Sequence, residues 1–451
     1  MYAQEITIVG NSVISHTIGS AAVDAGVVIT SNTYSDANHT TDPYSPQNNY
    51  FELSSFTALT STSGSPITGI FSDSKDLRID LNGQSVVVTN NQSGLQDPLQ
   101  YIAAGFGYAS NDDFIGKIST DSDLGDFTAT STSGAAYGMI FANTDMSDIS
   151  SLGAGAFIEV GTLSATTSST SDVAVGFQAF NVAGGSTVSI KEIKTEHKGT
   201  GGSTAGVLLG NVSGTVIGEI IDSTTVKGIN ITGKITDADT IATGLHATEI
   251  SQGALVKLGT ITINSDGNDE GHLYGVQINQ VGVGSTQGSS ESLTIGRIAG
   301  ELEIGDIFLG TTYTANEAIG LLLKNDKDIT YSNPSGGMSY SAAPGITSDG
   351  KVTLSKITVK TGTGAALGIS LGAYNLTDSN VDYGYAAANT LILGGDIDVT
   401  SNAGDAIGIF AGQIASLNVS HKISASSNSA SSYGIKTVGK TASSDTEKNK
   451  N

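Results

Sequence analysis

The residues that could do chemistry are few, and the densest group is a short acidic loop. The stretch SDGNDEG at 265–271 brings Asp266, Asn268, Asp269 and Glu270 together in sequence. Oxygen ligands in a glycine-bearing loop suit Ca²⁺, but the loop matches neither the EF-hand spacing nor the GGxGxD nonapeptide. We therefore prefer a solvated turn and keep Asp266, Asn268 and Asp269 as a weak candidate calcium loop.

Groups that could catalyse a reaction show no familiar spacing. The six histidines, at positions 16, 39, 197, 246, 272 and 421, include no HExxH pair. Gly10-Asn11-Ser12 has Asn where the GDSL esterase motif has Asp. A polysaccharide lyase needs clustered carboxylates and basic groups, and Arg78 and Arg297 are the only arginines. We predict no catalytic residue, no cofactor and no enzyme, with a carbohydrate-active enzyme as an alternative.

The composition points to an elongated β protein. Of 451 residues, 58 are Gly and 6 are Pro, Cys and Trp are absent, and 14% are charged against 38% hydrophobic. This balance is typical of β-structure with many tight turns. The net charge is −23, so we expect no nucleic-acid partner, because such binding needs basic patches. There is no apolar run long enough for a transmembrane helix, and we predict no membrane insertion by this chain.

A short phrase, small–apolar–Gly–apolar, recurs along the chain. Its glycines are Gly69, Gly105, Gly138, Gly176, Gly206, Gly244, Gly275, Gly320, Gly368, Gly408 and Gly434. Successive spacings range from 26 residues (408 to 434) to 48 residues (320 to 368). A repeat of this length is the signature of a solenoid whose loops vary in length.

The residues around each glycine, numbered from the glycine as position 0, alternate like a β-strand. Positions −1, +1 and +3 are largely apolar, as in Ile319, Leu321 and Leu323, and we expect them to face a core. Position −2 is usually Ala, as in Ala318. The pattern therefore predicts an outward stripe of Ala and Gly. Such a stripe either fits a tight stack or forms a flat docking face.

A second phrase lies between the glycines and completes the predicted repeat. VTLSKITV at 352–359 reads as two short strands joined at a corner. We therefore predict an all-β fold: a single-stranded, right-handed parallel β-helix, or β-solenoid, of about eleven coils with three short strands each. We expect an N-terminal cap and first coil at 1–60, the β-helix at 61–440 and a disordered tail at 441–451.

The repeated phrases resemble those of bacterial autotransporter passenger domains. STSGAAYGMIFA at 131–142 and VTLSKITVKTGTG at 352–364 carry the resemblance, which covers about 60–440. It implies a β-helical surface protein or adhesin of Gram-negative bacteria, exported to the outer membrane surface or secreted. The chain shows no outer-membrane barrel and no GDSG motif of serine protease passengers. We expect the barrel in the full-length protein.

The predicted function is that of a non-enzymatic rod that presents loops to other molecules. The expected partner is a host glycan or matrix protein, or a second copy; the first alternative is therefore a self-assembling surface filament or layer subunit. Candidate binding residues come from the long loop 331–349 and from outward strand positions. They are Tyr331, Asn333, Tyr340, Gln178, His246 and Gln277.

Overall fold

The structure is a computed structural model in which every element is a β-strand. It describes residues 4–18, 21–45, 49–61, 65–93, 102–118, 124–142, 149–199, 201–218, 229–233, 240–265, 271–279, 296–311, 317–323, 345–372, 385–417 and 420–437. These ranges contain 41 strands, numbered here in chain order, and no helix. Within them, therefore, no helix is present that could cross a membrane.

The strands form three sheets. The first has 20 strands and is called the paired sheet here, because most repeats contribute two consecutive strands to it. Its strands are β1 (Gln4–Gly10), β6 (Asn49–Phe56), β7 (Leu59–Ser61), β9 (Arg78–Asp80), β10 (Ser85–Asn90), β12 (Lys117–Ile118), β13 (Asp126–Ser131), β15 (Phe157–Thr167), β17 (Thr187–His197), β20 (Thr215–Gly218), β21 (Ile229–Gly233), β24 (Leu255–Leu258), β25 (Ile261–Ser265), β28 (Glu301–Ile304), β29 (Ile307–Thr311), β32 (Lys351–Leu354), β33 (Ile357–Thr361), β36 (Leu391–Leu393), β37 (Ile397–Ser401) and β40 (Ile423–Ser427).

The glycine sheet, with 15 strands, contains the recurring phrase. Its strands are β2 (Ile14–Ile18), β3 (Ala21–Ile29), β4 (Thr33–Ser35), β5 (Asp42–Pro43), β8 (Ile67–Ser72), β11 (Ala103–Ala109), β14 (Ala136–Ala142), β16 (Ala174–Ala179), β18 (Thr204–Leu209), β22 (Ile241–Ala247), β26 (His272–Ile278), β30 (Glu317–Leu323), β34 (Ala365–Leu371), β38 (Ala406–Ala411) and β41 (Ser432–Thr437). The short-strand sheet has β19 (Asn211–Val212), β23 (Glu249–Ile250), β27 (Arg297–Ile298), β31 (Gly345–Ile346), β35 (Tyr385–Ala386) and β39 (Gln413–Ile414).

From β18 onwards, successive repeats visit these sheets in the same order and pair in parallel. From β22 the chain passes through β23 in the short-strand sheet, then β24 and β25 in the paired sheet, and returns at β26. Ala318 pairs with Ala366, which pairs with Ala406, so the glycine phrases lie above one another as predicted. The all-β class with long parallel sheets is confirmed, and it is compatible with a β-solenoid. The division at residues 60 and 440 remains a prediction.

One connection varies greatly in length while the pairing on either side stays in register. Between the glycine sheet and the short-strand sheet, one residue separates Ala247 from Glu249, but residues 324–344 separate Leu323 from Gly345. The strand β31 that follows the long connection still pairs in parallel with β27 and β35. Much of the extra length therefore enters the repeat at the corner between these two sheets.

The predicted outward stripe of Ala and Gly is wrong, because each strand changes face at its glycine. At position −2, Ala242, Ala318, Ala366 and Ala406 are buried in the main core, together with +1 and +3 residues such as Ile409. Position −1 lies on the opposite face, where Ile319, Leu367 and Ile407 form a separate cluster. Strict alternation fails because the strand is irregular at the glycine. Position −2 therefore faces inward and position −1 outward.

The glycines are required because the backbones of neighbouring repeats and the facing sheet approach closely. A Cβ built on Gly320 would lie 2.5 Å from the carbonyl oxygen of Gly368 and 2.7 Å from Ile357 Cγ2. Both distances are shorter than Cβ contacts allow. The glycine column is thus buried against the paired sheet and is not a bare surface.

A column of polar residues lines the corner that leads into the glycine sheet. Its described members with buried side chains are Ser61, Asn90, Ser131, Thr167, His197, Thr361 and Ser401. Thr361 Oγ1 donates to Gly364 O at 2.7 Å, and Ser401 Oγ donates to the same oxygen at 2.8 Å while accepting Gly404 N–H. The column therefore satisfies the turn amides and carbonyls that a buried corner would otherwise leave unpaired.

Candidate functional site

Three of the sequence-predicted binding residues lie in one column on the outer face of the glycine sheet. Gln178, His246 and Gln277 occupy position +2 on β16, β22 and β26. His246 pairs directly with Gln277, and Gln178 pairs with Leu208, which pairs with His246. The regular stacking of the sheet therefore places the three side chains in line.

Two members of this column are far less exposed than the sequence led us to expect. Gln178 is 7% exposed and Gln277 is 5% exposed. The Oε1 atoms of both side chains are buried and accept no hydrogen bond. An amide oxygen removed from water without a donor is uncommon in folded proteins. These positions are outward in the sheet, as predicted, but they do not form an open polar surface.

A fourth residue, Asn279, completes the polar group. His246 Nε2 lies 2.6 Å from Asn279 Oδ1, and since that oxygen can only accept, the imidazole donates. The backbone N–H of Asn279 donates to Ala247 O at 3.0 Å, which extends the ladder one step beyond β26. The sequence analysis missed Asn279. Alternation from Gln277 would have placed it on the same face.

A second polar group lies at the other end of the same strands. Tyr274 OH donates to Glu317 Oε1, and His272 Nδ1 lies 3.3 Å from the same oxygen. The rings of His272 and Tyr274 stack at 6.0 Å between centroids with a 14° interplanar angle. His272 and Glu317 are directly paired on β26 and β30. The phrase alignment did not single them out because they precede the aligned positions.

Apolar clusters flank these polar groups on both sides along the sheet. On the C-terminal side, Ile319, Leu322, Leu367, Ile407 and Phe410 pack together with Tyr274. On the N-terminal side, Ala104, Ile140 and Ala142 pack with Tyr137. Burial, with a smaller contribution from the charge of Asp172, raises the pKa of Tyr137 to about 12, so its hydroxyl stays protonated at neutral pH. The polar column is thus a hydrophilic interruption in an apolar outer face.

The remaining predicted residues cannot be placed in this geometry. Tyr331, Asn333 and Tyr340, and the candidate calcium-loop residues Asp266, Asn268 and Asp269, lie outside the described residues. In the part of the chain that is described, no three His, Asp or Glu side chains converge as a metal-binding group.

The site offers amide and imidazole groups at one end. At the other end the Glu317 carboxylate accepts from Tyr274 OH and lies 3.3 Å from His272 Nδ1. Amide and imidazole groups can exchange hydrogen bonds with hydroxyls or peptide groups. Comparison with known proteins adds no assignment: no family model, no curated protein and no solved structure matches the chain.

Proposed function

We propose that this protein is an exported, non-enzymatic surface rod that binds a glycan or matrix protein through the outer face of its glycine sheet. In this proposal the chain forms one right-handed parallel β-helix of about eleven coils, with a spacing of about 4.8 Å between coils. Its residence at a bacterial surface follows from the resemblance to autotransporter passenger domains.

The observation that carries the proposal is the column Gln178–His246–Gln277. Its side chains project from three strands of one continuous parallel sheet, so their separations are fixed by backbone pairing. A rigid array of polar groups beside apolar clusters is the usual composition of a small-molecule or oligomer binding site.

The test is a binding survey with the 451-residue chain. The protein would be applied to an array of neutral and acidic oligosaccharides and to immobilised matrix proteins. We expect saturable binding that His246→Ala weakens and that Ile392→Val, a conservative change at an exposed position of the paired sheet, leaves intact. Binding to none of these surfaces, or hydrolysis of a bound saccharide, would contradict the proposal.

A second candidate function, a self-assembling filament or layer subunit, is favoured by the C-terminal end of the sheets. The last strand of the glycine sheet, β41, exposes Ile435 to 41%, although the equivalent Ile409 on β38 is buried. An exposed core layer beside open strand edges can pair with another chain. Light scattering and negative-stain microscopy at high concentration would separate the candidates, since a strict monomer would exclude assembly.

A further inference from the structure

Two buried amide oxygens on the outer face, like the nearby His272 Nδ1, have no hydrogen-bond partner among the described residues. Gln178 Oε1 and Gln277 Oε1 have no hydrogen-bond donor in the described part of the chain, although most buried polar groups in native proteins are paired. Neither amide closes a turn or caps a strand, unlike the corner hydroxyls of Thr361 and Ser401. An unpaired acceptor is retained at a cost in stability, and a bound ligand would supply the missing donor.

The spacing of the two amides suits an extended ligand. They share one column and are separated by three strand spacings, or about 14 Å. Between them lie Leu208 and His246, the first apolar and the second polar. A ligand lying along this column would meet a hydrogen-bonding group, an apolar surface, and then two further hydrogen-bonding groups.

The residue types in the column also bear on the class of ligand that it could bind. Its four positions, Gln178, Leu208, His246 and Gln277, include no Asp, Glu, Lys or Arg. The four strands that carry these positions contain no Asp or Glu, and on the neighbouring strand β30 the carboxylate, Glu317, is at the first residue. A metal ion or a strongly charged ligand would find no counter-charge in the column.

We propose that the column binds a neutral oligosaccharide of about three sugar units, with sugar hydroxyls donating to Gln178 Oε1 and Gln277 Oε1. Sugars combine hydroxyl edges with apolar C–H faces, which matches the order of groups in the column. His246 and Asn279 supply further hydrogen bonds from the imidazole and amide. This inference rests on the proposed function and names its ligand class and contact residues.

Because both oxygens are buried, the site must open locally before a hydroxyl can reach them. Binding that requires a conformational change is slower than the usual 10⁵–10⁷ M⁻¹s⁻¹ for association of specific surfaces. We therefore expect an association rate that saturates as the saccharide concentration rises.

The experiment measures saccharide affinity and thermal stability together. Neutral tri- to hexasaccharides are titrated calorimetrically into wild type, Gln277→Met, Gln178→Met and the control Ile392→Val, which lies at an exposed position of the paired sheet. Met keeps the length of Gln but removes the amide. We expect each Gln variant to lose about tenfold in affinity, with an unchanged or higher Tm, and the control to match wild type.

The outcomes distinguish this inference from the proposed function. If wild type binds neutral saccharides and both Met variants bind equally well, the column is not the site. If a Met variant lowers Tm by several degrees, its amide is a structural group and the inference fails. Binding confined to acidic saccharides or to a protein overturns the ligand class but preserves the proposed function. Absence of binding to every surface overturns both.

Discussion

The two ends of the stacked sheets are built differently. At the N-terminal end, β3 pairs with β8 in parallel, but its other edge is covered by the antiparallel strands β2 and β4. At the C-terminal end, β41 pairs only with β38 among the described strands. A parallel stack ends in unpaired N–H and C=O groups unless the chain reverses direction to cover them.

The interior of the two ends shows the same difference. The N-terminal core residues Ile8, Val27 and Ile29 are fully buried, and the rings of Tyr34, Tyr44 and Phe51 pack edge to face beside them. The C-terminal residues Ile423 and Ala425 are only partly buried against the core. Among the described residues, the core is therefore closed by strands of reversed direction at the N-terminal end and is only partly covered at the C-terminal end.

The largest expected effect contrasts a glycine inside the stack with one in the last described strand, β41. Gly320→Ala should destabilise the fold by about 3 kcal/mol, because the added Cβ meets a backbone carbonyl oxygen that cannot move alone. Gly434→Ala should stay within about 0.5 kcal/mol, since the nearest atom to its Cβ, Ile423 Cγ2, is 4.0 Å away. Denaturant unfolding measures both. Equal losses would show that the C-terminal end is as tightly packed as the interior.

The next effect concerns a carboxylate at each end. Asp36 has a fully buried side chain that accepts N–H groups from Val9 (2.8 Å) and His39 (2.8 Å) and contacts His39 Nδ1 at 2.7 Å. Asp36→Ala should cost about 2–3 kcal/mol, because buried donors lose a charged acceptor. Asp396 accepts the N–H of Lys422 at 2.9 Å at an exposed corner.

Asp396→Ala is therefore the matched control for the cap. We expect it to cost at most about 1 kcal/mol, because water replaces the lost acceptor at an exposed site. Chemical denaturation of both variants gives the two losses. A cost at Asp396 that equals the cost at Asp36 would argue against a special role for the N-terminal cap.

Between the two ends, His197 should make stability depend on pH. It is 1% exposed, and its two ring nitrogens lie 3.2 Å from Gly199 O and from Asp172 O. Burial lowers its pKa, despite opposing contributions from both carbonyls and the Asp172 carboxylate. The folded state therefore favours the neutral ring. Stability is fully present above the ordinary pKa of about 6.5 and is lost as pH falls through the lower folded value.

The test of His197 uses the residue type found elsewhere in its column. Thr167 occupies the paired position one repeat earlier, so His197→Thr keeps a hydroxyl at the corner. Between pH 6.5 and 4, we expect the free energy of unfolding of wild type to fall faster than that of the variant. The difference in slope is at most about 1.4 kcal/mol per pH unit. Parallel stability curves for the two proteins over that range would exclude the effect.

The smallest expected change in the free energy of unfolding is at Ile435 in the last described strand, β41. Ile435→Lys should change the free energy of unfolding by about 0.5 kcal/mol or less, because Ile435 is already 41% exposed. If copies associate through this end, the same change should disperse them, since a charge would enter the contact. Sedimentation of both proteins measures this, and assemblies that survive the substitution would have to use another surface.

The sequence predicted the parallel stacking because each repeat carries its own phrase with period two. Ile319, Leu321 and Leu323 were expected to share one face. They do not, because the strand changes face at Gly320, and a period-two rule assumes an uninterrupted strand. The irregularity is a property of close backbone approach between repeats, which no single repeat reveals.

The polar corner column was also beyond the sequence patterns that we used, and Asn279 was missed although alternation from Gln277 points to it. Serine and threonine are so common in this chain that Ser401 gave no signal by type alone. Only backbone pairing shows that Thr361, Ser401 and Ser427 occupy one line. The column Gln178–His246–Gln277 was found because alignment by the glycine fixes position +2 directly. Its burial depends on neighbours distant in sequence.

The connection of variable length between the glycine sheet and the short-strand sheet makes the protein a natural scaffold for grafting. Since β27, β31 and β35 stay in register across connections that differ by many residues, a foreign peptide could replace the single residue between Ala247 and Glu249. Guest segments introduced at several such corners would line up along one edge at intervals set by the stack. The strand stacking would therefore fix the spacing between copies of a peptide presented on one protein.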